Sequence, residues 1–219
     1  MSFGSERNHI QLYKTFRDNA PLLGDFRLVA EILRAHCLIK RMHWRGTRLR
    51  IVQFPEEFAK FLVLLRSLDV RSYLEVGTST GGSFMAADAY LRAVGNGSYR
   101  GSVGYDRTSK LRDFDAYKEA VGTIEFRHSD SKTMNLGDEQ FDAGFIDARH
   151  LKDWVWHDYK KVKGNCKIVA FHDIVLVGST VHEAWSEIKL QDGVRWWEFI
   201  DISAPASARC GIGVVMSSV

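Results

Sequence analysis

Five short stretches of this 219-residue chain carry side chains that could do chemistry together. The first is Ser72-Tyr73-Leu74-Glu75-Val76-Gly77-Thr78-Ser79-Thr80-Gly81-Gly82-Ser83. It is a β-prone run that stops at Gly77, passes through small residues and enters a helical period marked by Phe84, Ala87 and Leu91. Glycines at 77 and 81 let backbone come close to a ligand. A helix start near Gly81 to Ser83 offers N–H groups with no partner inside the helix. The spacing G-x-x-x-G-G lacks the Lys-Ser/Thr ending of a P-loop and is not the dinucleotide pattern G-x-G-x-x-G. Glu75, two residues before the first glycine, suits a cationic or hydrogen-bond-donating ligand better than a pyrophosphate. The loop therefore predicts a nucleoside-type cofactor, with a plain tight turn as the alternative. The other four stretches are Asp106, the pair Ser129 and Asp130, Asp147 with His150 three residues on, and His172 with Asp173.

Hydrophobic periodicity indicates the elements that must position these groups. Strands are predicted over 71–76, 101–105, 123–127, 141–146, 167–171, 194–200 and 211–216, and helices over 25–44, 110–121, 151–162 and 179–190. A further helix opens at Gln53-Phe54-Pro55-Glu56-Glu57, where proline suits the first turn and the glutamates suit the helix dipole. Residues 1–20 are polar and read as loose chain or a short helix. Alternating strands and helices imply an α/β fold, a doubly wound, mostly parallel seven-stranded sheet. The link 201–210 has no helical pattern, so the last strand should return antiparallel in a hairpin at one sheet edge. Ligands bind such sheets at the carboxyl ends of the strands. Those ends are where Glu75, Asp106, Ser129, Asp130, Asp147, His172 and Asp173 fall.

The totals exclude some classes. A net charge of +3 with a pI near 8.7 is mild and does not by itself imply nucleic acid. No apolar run approaches a membrane span, and residues 1–20 lack the apolar centre of a signal peptide. Cys37, Cys166 and Cys210 are scattered, with no metal spacing and no disulfide framework. A cytoplasmic protein that does not engage membranes is expected. Lys40, Arg41, Arg45, Arg48 and Arg50 form a basic stretch, read either as a solvated surface or as a contact for an anionic substrate or a partner.

Taken in order, these fragments resemble a class I S-adenosylmethionine-dependent methyltransferase over about residues 50–216. Glu75 to Gly81 looks like that family's E/D-x-G-x-x-x-G loop. Asp106 stands where the family places an acid on the ribose hydroxyls. Gln53 to Glu57 resembles the lead-in of small-molecule O-methyltransferases. Phe145-Ile146-Asp147-Ala148-Arg149-His150, with Asp158, Phe171-His172-Asp173, Val181 and Trp185, is similar to the F-I-D-x-x-H pattern of a subgroup. That subgroup includes sugar and macrolide O-methyltransferases and cephalosporin hydroxylase-like proteins. The resemblance implies a Rossmann-like methyltransferase domain over 51–219, and residues 1–50 as a helical lid. It implies S-adenosylmethionine held by Glu75, Gly77, Thr78, Ser79, Gly81, Ser83, Asp106, Ser129, Asp130 and Asp147. Asp106 could instead be a helix N-cap, and Asp130 a loop cap.

The strands ending at Asp147 and Asp173 are neighbours in that family. Two such oxygens, with His172 as a further ligand, could hold Mg²⁺ beside a substrate hydroxyl. His172, where related metal-dependent enzymes carry an acid or Asn, departs from the pattern, since a hard cation prefers oxygen. It could also be a base or a partner of Asp147. His150 is the expected catalytic base, with Asp147 as its companion, although a capping or surface role also fits. Trp154, Trp156, Tyr159, Trp196 and Trp197 read as packing, or alternatively as an aromatic wall. The expected activity is methyl transfer to a hydroxyl of a small molecule such as a sugar, natural product or catechol. A homodimer is expected by analogy. A hydroxylase-like relative and a nucleic-acid-modifying or -binding protein are the rival readings.

Overall fold

The structure, a computed structural model, describes residues 7–39, 49–108, 111, 114–203 and 209–217. In chain order the elements are α1 (Arg7–Asp18), α2 (Phe26–His36), β1 (Cys37–Ile39), β2 (Leu49–Ile51), α3 (Pro55–Ser67), β3 (Ser72–Val76), α4 (Gly82–Val94), β4 (Gly101–Asp106), α5 (Phe114–Val121), β5 (Ile124–His128), β6 (Phe141–Ile146), α6 (Lys152–Val162), β7 (Cys166–His172), α7 (Val181–Ile188), β8 (Val194–Phe199) and β9 (Ile212–Ser217).

Seven strands form one sheet in the order β5-β4-β3-β6-β7-β9-β8. The first five run parallel, and β9 is antiparallel to both β7 and β8. The predicted hairpin is present, but β9 lies inside the sheet and β8 forms the edge. Alternate strand residues serve opposite faces. Tyr73, Phe145, Ala170 and Val214 join a core built from α1 to α5. Leu74, Val76, Ile146, Phe171 and Val215 join a second core under α6 and α7. The sheet is therefore covered on both sides, as a parallel sheet requires. The chain turns from β5-β4-β3 to β6-β7 across the β3–β6 pair, which opens a crevice at the strands' carboxyl ends.

In the N-terminal segment the short helix weighed for residues 1–20 is present, whereas the helix predicted over 25–44 is cut short. Residues 7–18 form a three-turn helix, because Leu12 and Phe16, one turn apart, are fully buried. Phe16 meets Tyr90 of α4 edge-on at 5.5 Å. The predicted helix over 25–44 ends at His36. The apolar run Cys37–Ile39 instead pairs in parallel with Leu49–Ile51 as a separate two-stranded sheet. Helices α1 and α2 pack on α4 and α3. Among the described residues, Val52 and Phe54, just after β2, reach the central crevice. The basic stretch from Lys40 to Arg48 lies outside the described residues. Among the described residues, no helix is long and apolar enough to cross a membrane.

Glu57 also differs from its expected role at a helix dipole. It is buried, and its carboxylate accepts the Asp201 and Gly211 backbone N–H groups at 2.7 and 3.1 Å. Glu57 thereby ties the β8–β9 link to α3. Glu56 pairs with Arg34 of α2. The tryptophans divide as alternation predicts: Trp197 packs against the core and Trp196 is exposed.

Candidate active site

The glycine loop is fastened from below. Gly77 N–H donates to Tyr105 carbonyl at 2.8 Å, and Asp147 N–H donates to Val76 carbonyl at 2.8 Å. Gly77 has φ +95°, and a Cβ there would lie 2.3 Å from the Asp147 carbonyl oxygen. Only glycine lets β3 and β6 approach this closely while the chain turns through the left-handed region. Ser79, φ +51°, shares that region without being glycine.

Glu75 is fully buried beneath the loop and is not among the residues that line the crevice. Its oxygens accept the hydroxyls of Tyr73 (2.8 Å) and Ser83 (2.7 Å). Burial pushes its carboxyl up to about 8, against the pull of those two hydroxyls. Ser83 is thereby committed to the loop's underside. Thr78, Ser79 and Ser83 line a smaller recess of about 110 Å³, together with Val52, Gln53 and Asp147. Gly81 starts α4 with φ +87°, and a Cβ there would meet Met85 Cε at 2.8 Å.

The main crevice has a volume of about 740 Å³. On one wall Asp106, at the end of β4, holds the loop: its Oδ2 accepts Ser79 N–H at 2.9 Å, and its Oδ1 accepts Thr108 N–H at 2.6 Å. The bond to Thr108 is a local turn rather than the helix N-cap weighed as an alternative, since α5 starts only at Phe114, and the carboxylate lines the crevice. Ser129 N–H donates to Asp106 carbonyl at 2.8 Å. Asp130 accepts Lys132 N–H at 3.0 Å. Its other oxygen lies 3.4 Å from Arg107 Nε and 3.8 Å from an Arg149 nitrogen. That N–H, with the two guanidiniums, holds Asp130 below the usual carboxylate range. Arg149 also stacks 3.9 Å over Trp154, a contact between the expected packing and wall roles.

The opposite end of the crevice brings together Asp147, His150 and Asp173, with donor atoms within 4.8 Å of one another. Gln53 Nε2–H donates to Asp147 Oδ2 at 2.7 Å. His172 Nδ1 lies 3.2 Å from Asp147 Oδ1. His150 Nδ1 is paired with Asp173 Oδ2. The bond to Asp173 raises the His150 pKa, outweighing the effect of burial. Burial would raise the acid of Asp173, but His150 and His172 hold it below its usual value. Burial would likewise discharge His172, but Asp147 and Asp173 outweigh it and keep its pKa high. The His172 side chain is 1% exposed and lies behind the crevice, where it partners Asp147, one of the roles weighed for it. Asp173 has φ +62°, a strained backbone at a crevice residue. Asp158, part of the subgroup pattern, is buried on α6 beside Ser131.

Comparison with solved structures fits this arrangement. A methyltransferase from Podospora anserina bound to SAH aligns over 89% of this chain and 88% of its own, at 12% identity and TM-score 0.58. The O-methyltransferase from Streptomyces achromogenes involved in tomaymycin synthesis, in complex with SAM, aligns over 89% of both chains, at 17% identity and TM-score 0.55. An O-methyltransferase from Bacillus cereus in complex with SAH aligns over 72% of this chain and 80% of its own, at 17% identity and TM-score 0.53. The fold is that of the class I methyltransferases. No protein-family model and no curated protein sequence matches the chain.

In this methyltransferase fold the crevice lies at the switch point between β3 and β6. It gathers Gly77, Ser79, Asp106, Ser129, Asp130, Asp147, His150 and Asp173, eight of the residues expected from sequence. Sequence reasoning missed Arg107, Arg149 and Cys210 as lining residues, because nothing in their local spacing marks them. It identified Gln53 as part of a helix lead-in but not as the partner of Asp147. Mg²⁺ takes near-octahedral oxygen ligands. Here Asp147 is already held by Gln53 and His172, and Asp173 by His150. The remaining donors nearby are imidazole and thiol, a set that does not suit Mg²⁺.

Proposed function

We propose that this protein is an S-adenosylmethionine-dependent methyltransferase that methylates a hydroxyl oxygen of a small molecule. The observation that carries the reading is the Asp173–His150 pair at one end of a crevice whose other wall presents Asp106 at the end of β4. When bound, the cofactor would supply a sulfonium methyl for in-line displacement. Asp106 retains lone pairs for ribose hydroxyls, since each oxygen accepts only one backbone N–H. Ser129 and Asp130 border the same wall, on the side expected for adenine. Gly77 and Ser79 would let backbone approach the cofactor.

His150 Nδ1 is committed to Asp173, which leaves Nε2 to take the proton of a substrate hydroxyl as its oxygen attacks. Asp173 would stabilise the imidazolium that forms. A divalent metal, also expected from the resemblance, would have Asp147 and Asp173 as oxygen ligands. The donor set around them does not suit Mg²⁺.

The test is incubation with methyl-labelled S-adenosylmethionine and a panel of hydroxyl-bearing small molecules, with products analysed by mass. A gain of CH₂ supports the reading. A gain of oxygen would favour the hydroxylase-like alternative, and absence of both cofactor binding and product would overturn the proposal.

A further inference from the structure

The two nitrogens of His172 have unlike surroundings. Nδ1 lies 3.2 Å from Asp147 Oδ1, so the ring's hydrogen belongs on that side. Nε2 is buried, and besides the two acids the ring's polar neighbour is the Cys210 thiol. Asp173 Oδ1 lies 3.2 Å from His172 Nδ1, and the same thiol contacts this carboxylate. His172 and Asp173 are each 2% exposed. A buried imidazole and a buried carboxylate on adjacent residues thus share one thiol neighbour.

Cys210 supplies the third group. A nitrogen of His172, an oxygen of Asp173 and Cys210 Sγ lie within 4.8 Å of one another. Backbone bonds hold that segment in place: Val175 N–H donates to Cys210 carbonyl at 3.0 Å, and Glu57 accepts the neighbouring Gly211 N–H. A carboxylate on one imidazole nitrogen is the arrangement that orients metal-binding histidines.

We propose that His172, Asp173 and Cys210 form a binding site for a thiophilic divalent cation of the zinc class. Nitrogen, carboxylate and thiolate donors suit such an ion and disfavour Mg²⁺. On binding, the thiol and the His172 imidazolium each give a proton to solvent, and Asp147 remains hydrogen-bonded to the neutral ring. The alternative trio Asp147, His150 and Asp173 is a weaker choice, because both Asp147 oxygens are already engaged, by Gln53 and His172. Asp173 and Cys210 line the crevice as well, so three protein donors leave a coordination position open towards it. The inference stands apart from the cofactor reading.

The test uses the full chain, stripped with a chelator and titrated with Co²⁺ as a spectroscopic probe. One equivalent should bind with a thiolate-to-cobalt charge-transfer band. Zn²⁺ should displace it, and Mg²⁺ in large excess should not. Cys210→Ser should abolish the band and weaken binding at least about 100-fold, whereas Cys166→Ser should keep both. Should Cys210→Ser fail to fold, the parent protein decides alone: Zn²⁺ should raise its melting temperature relative to chelator. Cobalt bound without a thiolate band, equal competition by Mg²⁺, or unchanged affinity in a folded Cys210→Ser would overturn the proposal, as would no thermal shift with Zn²⁺. S-adenosylmethionine binding, measured on the same stripped protein, reports on the cofactor reading separately.

Discussion

Replacing Glu75 by glutamine should change how stability responds to pH. The side chain is fully buried, and its carboxyl is pushed up to about 8 from an ordinary value of 4.5, chiefly by burial. The folded state therefore binds this proton more tightly than the unfolded chain does. The resulting stability is fully present below pH 4.5 and is lost as pH rises from 4.5 to about 8. Within that window the group contributes a slope of about 1 kcal/mol per pH unit. Glutamine matches the shape and carries no such proton. Its carbonyl can accept one of the Tyr73 and Ser83 hydroxyls, and its amide can donate to the other after that hydroxyl turns. Urea unfolding of parent and variant at several pH values from about 5 to about 8 reads the difference directly. The variant should gain on the parent by about 1 kcal/mol for each unit of rising pH, several kcal/mol in all. A difference that stays constant across the range would refute the reasoning, because Glu75 would then titrate alike in both states.

Three further outcomes are expected. Gly77→Ala would press a Cβ to 2.3 Å from the Asp147 carbonyl at φ +95°. It should cost about 2–3 kcal/mol by denaturant and weaken cofactor binding measured by calorimetry; a neutral change would show that β3 and β6 separate readily there. Phe16→Ala should cost about 3–5 kcal/mol, since the ring is fully buried against Tyr90, and should leave cofactor affinity intact. A loss of less than about 1 kcal/mol would detach α1 from the folded body. His150→Ala should keep cofactor binding and lose about 100-fold or more in methyl transfer; retained turnover would remove His150 from the mechanism.

The strand–loop–helix at Ser72 to Val94 and the polar strand ends were legible because period and glycine spacing are local signals. Strand-end placement, predicted from chain order, brought Asp106, Asp147 and Asp173 into one crevice. Three features were not legible because they depend on contacts distant in sequence. Glu75 reads as a crevice acid, but only the positions of Tyr73 and Ser83 show that its oxygens are taken from below. The pairing of Cys37–Ile39 with Leu49–Ile51 overrode a helical pattern that continues past His36. Cys210 has no ligand-like spacing, and it reaches His172 only because β9 returns beside β7.

The central claim is that this crevice holds a sulfonium nucleoside between Asp106 and the Asp147 end. Calorimetric titration of the folded protein with S-adenosylmethionine and S-adenosylhomocysteine, beside Asp106→Ala, tests it most directly. The account predicts affinity in the micromolar range, about −8 kcal/mol, and a loss of about tenfold or more in the variant. No heat from either compound with the folded protein, or equal affinity in Asp106→Ala, would contradict it.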